Sequence, residues 1–151
     1  MIEIRKAGAD DWEASKAIRL RALEDTPDAF ASTLEREASF DDKAWIRRNE
    51  GAHQLLAWDG DQPVGTVTGT IDGEMVAVWV APELRGTGLS DRLVEELAVW
   101  AKAAGLAQLR AWVADGNDAA RALYDRTGFV VTGETALMRD GIGETRMTRA
   151  L

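Results

Sequence analysis

The stretch VAPELRGTGLS, Val80 to Ser90, lies between an apolar run and a long amphipathic one. Before it, Glu74–Val80 is an apolar, β-rich run that reads as a strand. After it, Leu89, Leu93, Leu97, Trp100 and Ala104 recur at helical spacing. Gly86 and Gly88 therefore sit where a strand hands over to a helix. Glycine costs about 0.5–1 kcal/mol relative to alanine inside regular structure, so its recurrence here implies a need for bare backbone. A glycine-rich strand-to-helix turn leaves N–H groups unpaired and directed at one place, with the positive end of the helix dipole behind them. That is an anion site, best matched by phosphate or pyrophosphate. Arg85 supplies a cation, and Thr87 and Ser90 add hydroxyl donors. A tight turn holding no ligand would use the same residues, so the loop alone leaves both readings open.

Two nucleotide frameworks fail on context. A phosphate-binding Gly-x-x-x-x-Gly-Lys-Ser/Thr string does not occur. A dinucleotide Gly-x-Gly-x-x-Gly fingerprint needs a third glycine where Asp91 stands, and it belongs early in a parallel βαβ unit. The strands before this loop are instead linked by hairpins. His53–Trp58, Val64–Ile71 and Glu74–Val80 read as three strands joined by Asp59-Gly60-Asp61 and Asp72-Gly73, and Asp-Gly favours tight turns because both residues tolerate positive φ.

Working outward, Ile2–Ala7 alternates like a half-buried strand. A helix follows through Trp12, Ile18 and Leu23, with Asp10 or Asp11 as its N-cap and Thr26-Pro27 as its end. Asp28–Phe40 reads as a loop or ragged helix, and Phe40–Gly51 as a short helix capped by Asp41 or Asp42. Beyond the glycine loop come a helix ending at Gly105, a strand at Leu106–Ala114, a helix at Asp118–Gly128, a strand from Phe129 and a last strand near Glu144–Arg149. The expected fold is a single mixed α/β domain over residues 1–151, in the order β-α-α-β-β-β-α-β-α-β-β.

Composition narrows the chemistry. The 151 residues are 46% hydrophobic and 29% charged, enough for one domain with a real core. There is no cysteine, which removes disulfides, thiolate metal sites and a cysteine nucleophile; a single histidine, His53, removes a multi-histidine metal centre. No run approaches the roughly 18–20 apolar residues of a membrane helix, and the N-terminus has no apolar leader core, so a cytoplasmic protein without a membrane partner is expected. A net charge of −8 argues against a nucleic-acid partner.

The chain resembles the GNAT superfamily of acyl-CoA-dependent N-acetyltransferases over almost its whole length. The family's cofactor motif, Arg/Gln-x-x-Gly-x-Gly/Ala after a Val-x-Val-x-Pro-like strand end, is matched by Val78, Val80, Pro82, Arg85 and Gly88, with Ser90 in the last small position. A second segment, NDAARALYDRTGF, matches Asn-x-x-Ala-x-x-Leu-Tyr-x-x-x-Gly-Phe at Asn117, Ala120, Leu123, Tyr124, Gly128 and Phe129. The resemblance implies an acetyl-CoA cosubstrate and no metal. Its pantetheine arm would pair with backbone at Val78 and Val80, and its pyrophosphate would rest on Arg85, Gly86, Thr87, Gly88, Leu89 and Ser90. An N–H near Val78 would polarise the thioester carbonyl while a primary amine attacks directly.

Under that resemblance Tyr124, the only tyrosine, is the candidate acid for the leaving thiolate; it also suits a core aromatic beside Ala120 and Leu123. Glu74 is the candidate base, sharing a strand face with Val76, Val78 and Val80, although a polar residue beside a turn needs no such role. Asn117 suits an N-cap, a cofactor contact, or both. His53 fits an ordinary surface or core histidine better than a base. For the acceptor, Leu23–Arg48 and Gly133–Gly143 are the family's specificity regions. Asp25, Asp28, Glu35, Glu37, Asp41 and Asp42 interleave with Phe30, Phe40 and Trp45, a composition suited to a cationic amine or to a merely solvated surface. A small amine, amino acid, peptide N-terminus or protein lysine all stay open, as does a homodimer. Two other functions fit the same residues: a catalytically silent acyl-CoA-binding module, and a nucleotide-binding α/β domain with a different anion in the loop.

Overall fold

The Asp-Gly turns fold the middle of the chain back on itself, as a computed structural model describing residues 1–151 shows. β2 (His53–Asp59), β3 (Gln62–Gly69) and β4 (Met75–Val80) form an antiparallel meander. β1 (Ile2–Lys6) pairs with β2, which gives a sheet in the order β1-β2-β3-β4. A second sheet holds β5 (Gln108–Ala114), β6 (Val130–Leu137) and β7 (Gly143–Ala150) in the order β5-β7-β6, antiparallel throughout. The β3–β4 connection is wider than a two-residue hairpin: Gly73 N–H donates to the Thr70 carbonyl, and Glu74 N–H to the Thr70 hydroxyl, so β3 ends at Gly69.

Five helices connect the strands: α1 (Trp12–Asp25), α2 (Leu34–Ala38), α3 (Asp42–Glu50), α4 (Leu89–Ala103) and α5 (Asp118–Arg126). The order is thus β-α-α-α-β-β-β-α-β-α-β-β, with α2 falling in the stretch that reads as a loop or ragged helix. Five residues cannot hold a helix alone. What holds α2 is the Thr33 hydroxyl accepting from Arg36 N–H, and the burial of Glu37 against two arginines from neighbouring helices. Asp41 caps α3 through Ala44 N–H at 2.9 Å. No side chain caps α1; the Asp11 carboxylate instead accepts from Gly8 N–H across a 3₁₀ turn.

β3 is covered on both faces, which explains its nearly continuous burial. Gly65 and Gly69 lie under α4, where an added Cβ at Gly69 would come within 2.7 Å of the Trp100 ring. From the other face, Thr66 accepts from Gln54, which in turn accepts from Ser15 of α1. Leu93, Val94, Leu97 and Ala101 of α4 are fully buried, while Trp100 stacks on His53 at 4.2 Å. His53 is thereby a packing residue, and burial followed by Lys6 lowers its pKa.

The two sheets touch along β4 and β5 at one place. Glu74 bridges Arg110 in parallel, and Arg110 N–H donates to the Gly73 carbonyl at 2.8 Å. Gly73 has φ +93°, and a Cβ there would lie 2.8 Å from the Gln108 carbonyl. Only glycine lets the sheets approach so closely. Past this joint the strands part, and the site occupies the opening.

Candidate active site

A cleft of about 520 Å³ opens where β4 and β5 separate, with α1, α3 and β7 completing its walls. β4 is irregular here. Its pairing with β3 skips between Thr66↔Trp79 and Thr68↔Val76, and Ala77 takes φ +57°. A left-handed non-glycine residue costs about 1–2 kcal/mol, a strain that persists where the surroundings impose it. The bulge ends the alternation expected of Glu74, Val76, Val78 and Val80. Trp79 and Val80 are both buried, whereas Val78 lines the cleft.

Glu74, Val78, Asn117 and Tyr124 all line this cleft. Tyr124 is 6% exposed, its ring lies 5.4 Å from that of Phe129, and its hydroxyl makes no hydrogen bond within the protein. Burial pushes its phenol up to about 12, so it holds its proton at neutral pH. Asn117 caps α5, its Oδ1 accepting from Ala120 N–H at 3.2 Å, which leaves its amide nitrogen free of protein partners. Glu74 is committed to ion pairs. Both its carboxylate oxygens accept from Arg146, and Arg110 lies at 3.4 Å.

The glycine loop lies outside the cleft, at the N-terminus of α4. Gly86 and Gly88 have φ +81° and +86°, and nothing stands within 4 Å of a Cβ built on either. None of the backbone N–H groups from Gly86 to Asp91 has a hydrogen-bond partner in the protein; the first to be satisfied is Arg92 N–H, on the Gly88 carbonyl. Together they form a cluster of unpaired donors at the N-terminus of α4, an arrangement suited to an anion. The side chains behave differently from their sequence reading. Thr87 spends its hydroxyl proton on the Leu84 carbonyl at 2.6 Å, and Leu89 is buried in the core. Ser90 reaches only Asp91, at 3.5 Å. The Arg85 guanidinium turns to Asp25 at 2.5 Å, and its Nε donates to the Val80 carbonyl at 3.1 Å. This ties the loop to α1. The first turn of α4 carries Arg92, exposed and without an ion pair, while Arg126 grips Asp91 from α5.

The family model for the acetyltransferase (GNAT) family matches residues 18–129. The chain belongs to this family. A peptidyl-lysine N-acetyltransferase of Salmonella typhimurium, YjaB, is 31% identical over 145 residues, covering 95% of this chain and 92% of that protein. A mycothiol acetyltransferase of Geodermatophilus obscurus is 27% identical over 136 residues, which are 82% of this chain; the chain spans only 42% of that longer relative. The solved structure of YncA from Salmonella typhimurium, with its cofactor acetyl-CoA, superposes with a TM-score of 0.84 at 21% identity, covering 100% of this chain and 94% of that one. This GNAT fold is the one described above.

Several cleft residues carried no signal in the sequence. Glu144 of β7 lines the cleft without an ion-pair partner; burial pushes its carboxyl up, Arg146 opposes this and Asp115 adds to it. Arg19 and Arg48 enter from α1 and α3, and both bind Glu37. The acidic residues expected to greet a cationic amine are elsewhere. Asp25 holds Arg85, Asp41 caps α3, and Glu37 is buried between the arginines. Phe30 and Trp45 do reach the cleft.

Proposed function

We propose that this chain transfers an acetyl group from acetyl-CoA to a primary amine. The observation that carries the reading is an unfilled cradle of N–H donors at Gly86–Asp91 combined with a cleft opened by the parting of β4 and β5. A pyrophosphate fits such a cradle, because glycine leaves room for close approach and backbone donors need no proton transfer to act. Bound acetyl-CoA supplies a thioester whose acetyl group passes to the amine while the sulfur leaves with the bonding pair.

The chain's own residues divide the remaining work. We assign Val78, beside the strained Ala77, the backbone N–H that meets charge developing on the carbonyl oxygen. Tyr124 keeps its proton at Oη through neutrality and is positioned, by its place in the cleft, to give it to the departing sulfur. Glu144 is the group suited to take the amine's proton, since it is unpaired and partly desolvated. Glu74 has a positioning role instead: its ion pairs with Arg146 and Arg110 clamp the joint from which the cleft opens. Arg85 likewise sets the loop's path through Asp25, and Asn117 orients the start of α5 ahead of Tyr124.

Thermal unfolding with acetyl-CoA, CoA, ATP and NAD tests the reading. At a hundredfold excess over the dissociation constant, binding adds about 2.7 kcal/mol of stability, a rise of about 5–10 °C for a chain of this size. Acetyl-CoA and CoA should both produce it. A rise with ATP or NAD and none with CoA overturns the assignment. Consumption of acetyl-CoA in the presence of amines then separates an enzyme from a silent acyl-CoA-binding module.

A further inference from the structure

Glu37 is 1% exposed, yet it is shared by two guanidinium groups. Arg19 donates to it from Nε at 2.9 Å and from Nη2 at 3.0 Å, and Arg48 donates from Nη1 at 2.5 Å. Neither arginine makes another ion pair, so two positive charges meet one negative charge. Nη1 of Arg19, and Nε and Nη2 of Arg48, have no partner in the protein. Both side chains line the cleft that also holds Tyr124. The same corner carries the rings of Phe30 and Trp45, over which the two guanidiniums lie at 4.7 and 5.2 Å. The cleft's acidic groups, Glu74 and Glu144, come from the strand side, on β7 and just before β4.

A pocket with surplus guanidinium donors at its helical side and an unpaired carboxylate at its strand side has the polarity of a zwitterion. We infer that the acceptor is an α-amino acid or a close analogue, its carboxylate held by Arg19 and Arg48 while its amine lies toward Glu144 and Tyr124. The inference rests on the acetyl-transfer reading and narrows its substrate class. Guanidinium suits this task, because its planar fork meets a carboxylate with two parallel hydrogen bonds. The α-carbon of a lysine within a peptide carries no free carboxylate, so such a substrate gains no ion pair from the arginines. Glu37 fixes both guanidiniums in place before the acceptor arrives, which lowers the ordering cost of binding.

The test compares L-phenylalanine and L-methionine with phenylalaninamide and methioninamide, which differ from the acids in charge but hardly in shape. The amides have the less basic amines, so nucleophile availability near neutral pH favours them, and preference for the acids runs against that bias. Wild type should show kcat/KM at least tenfold higher for acid than for amide. Arg48→Gln, which leaves the Arg19–Glu37 pair intact, should remove most of this ratio by raising KM for the acids far more than for the amides. Arg48→Lys should recover part of the ratio, because it restores the charge without the fork. A second readout does not depend on turnover: with CoA present, N-acetyl-L-phenylalanine should bind at least tenfold tighter than its amide, and Arg48→Gln should abolish the difference. Equal handling of acids and amides, or turnover of 2-phenylethylamine with neither amino acid used, overturns the inference and leaves acetyl transfer standing. Acetyl-CoA binding without consumption of any acid, amide or amine overturns acetyl transfer itself.

Discussion

Replacing Tyr124 by phenylalanine separates chemistry from packing, because the hydroxyl is the only group removed and it bonds to nothing in the protein. The ring stays in its buried place against Phe129, so no cavity forms and no polar partner is orphaned. Stability near neutral pH should therefore change by less than about 0.5 kcal/mol, or roughly 1–2 °C in Tm. At alkaline pH the variant should gain on wild type. The unfolded chain ionises a tyrosine near 10, whereas burial holds the folded phenol up to about 12. Stability contributed by the neutral phenol is complete below pH 10 and is lost as pH rises toward 12. The loss amounts to about 3 kcal/mol in wild type and is absent in Tyr124→Phe. Acetyl-CoA affinity should be unaltered, and the acetyl-transfer step should slow by roughly 10²–10⁴, the usual contribution of a positioned general acid. Rapid-quench single-turnover kinetics reads that step without interference from product release. A normal single-turnover rate, with fold and affinity preserved, would reduce Tyr124 to a core aromatic.

At the loop, Gly88→Ala should cost about 1 kcal/mol, since alanine is strained at φ +86°, while weakening acetyl-CoA binding at least tenfold; calorimetry that finds unchanged affinity removes the phosphate from this cradle. Glu144→Gln should give a rate defect that shrinks as pH rises, because more of the amine is then already deprotonated. Glu74→Gln should behave in the opposite way, losing about 3 kcal/mol of stability by leaving Arg146 unpaired, with a rate defect that pH does not relieve; interchange of these two profiles would return the base role to Glu74. For Glu37, burial favours the neutral carboxyl, but hydrogen bonds from Arg19, Arg48 and Ser32 outweigh it and hold the pKa at about 2. Stability from this group is complete above about pH 4.5 and is lost toward pH 2, by about 3 kcal/mol; acid unfolding of Glu37→Gln should lack that loss.

Local patterns settle the parts of this protein that depend on neighbours in the chain. Apolar runs joined by Asp-Gly turns specify the β2–β3–β4 meander, helical spacing specifies α4, and Asn117 and Asp41 announce the starts of α5 and α3. Gly86 and Gly88 mark the N–H cradle because positive φ is a property of single residues. Other features require the chain to be folded. The five-residue α2 has no period of its own and exists because Glu37 finds Arg19 and Arg48 across two other helices. Ala77 gives no sign of its left-handed turn, since nothing about alanine asks for it; it falls in the β4 bulge, where the register against β3 shifts. Arg85 reads as a phosphate ligand, and only the fold shows that its guanidinium also meets Asp25, sixty residues away in the chain. The charges of the acceptor pocket are likewise a tertiary matter. Linear proximity groups the carboxylates of residues 25–42 together, but folding commits Asp25 and Glu37 to ion pairs and Asp41 to a helix cap, and turns Arg19 and Arg48 toward the cleft. Backbone conformation is encoded within a few residues, whereas which charge stays unpaired depends on every element packed around it.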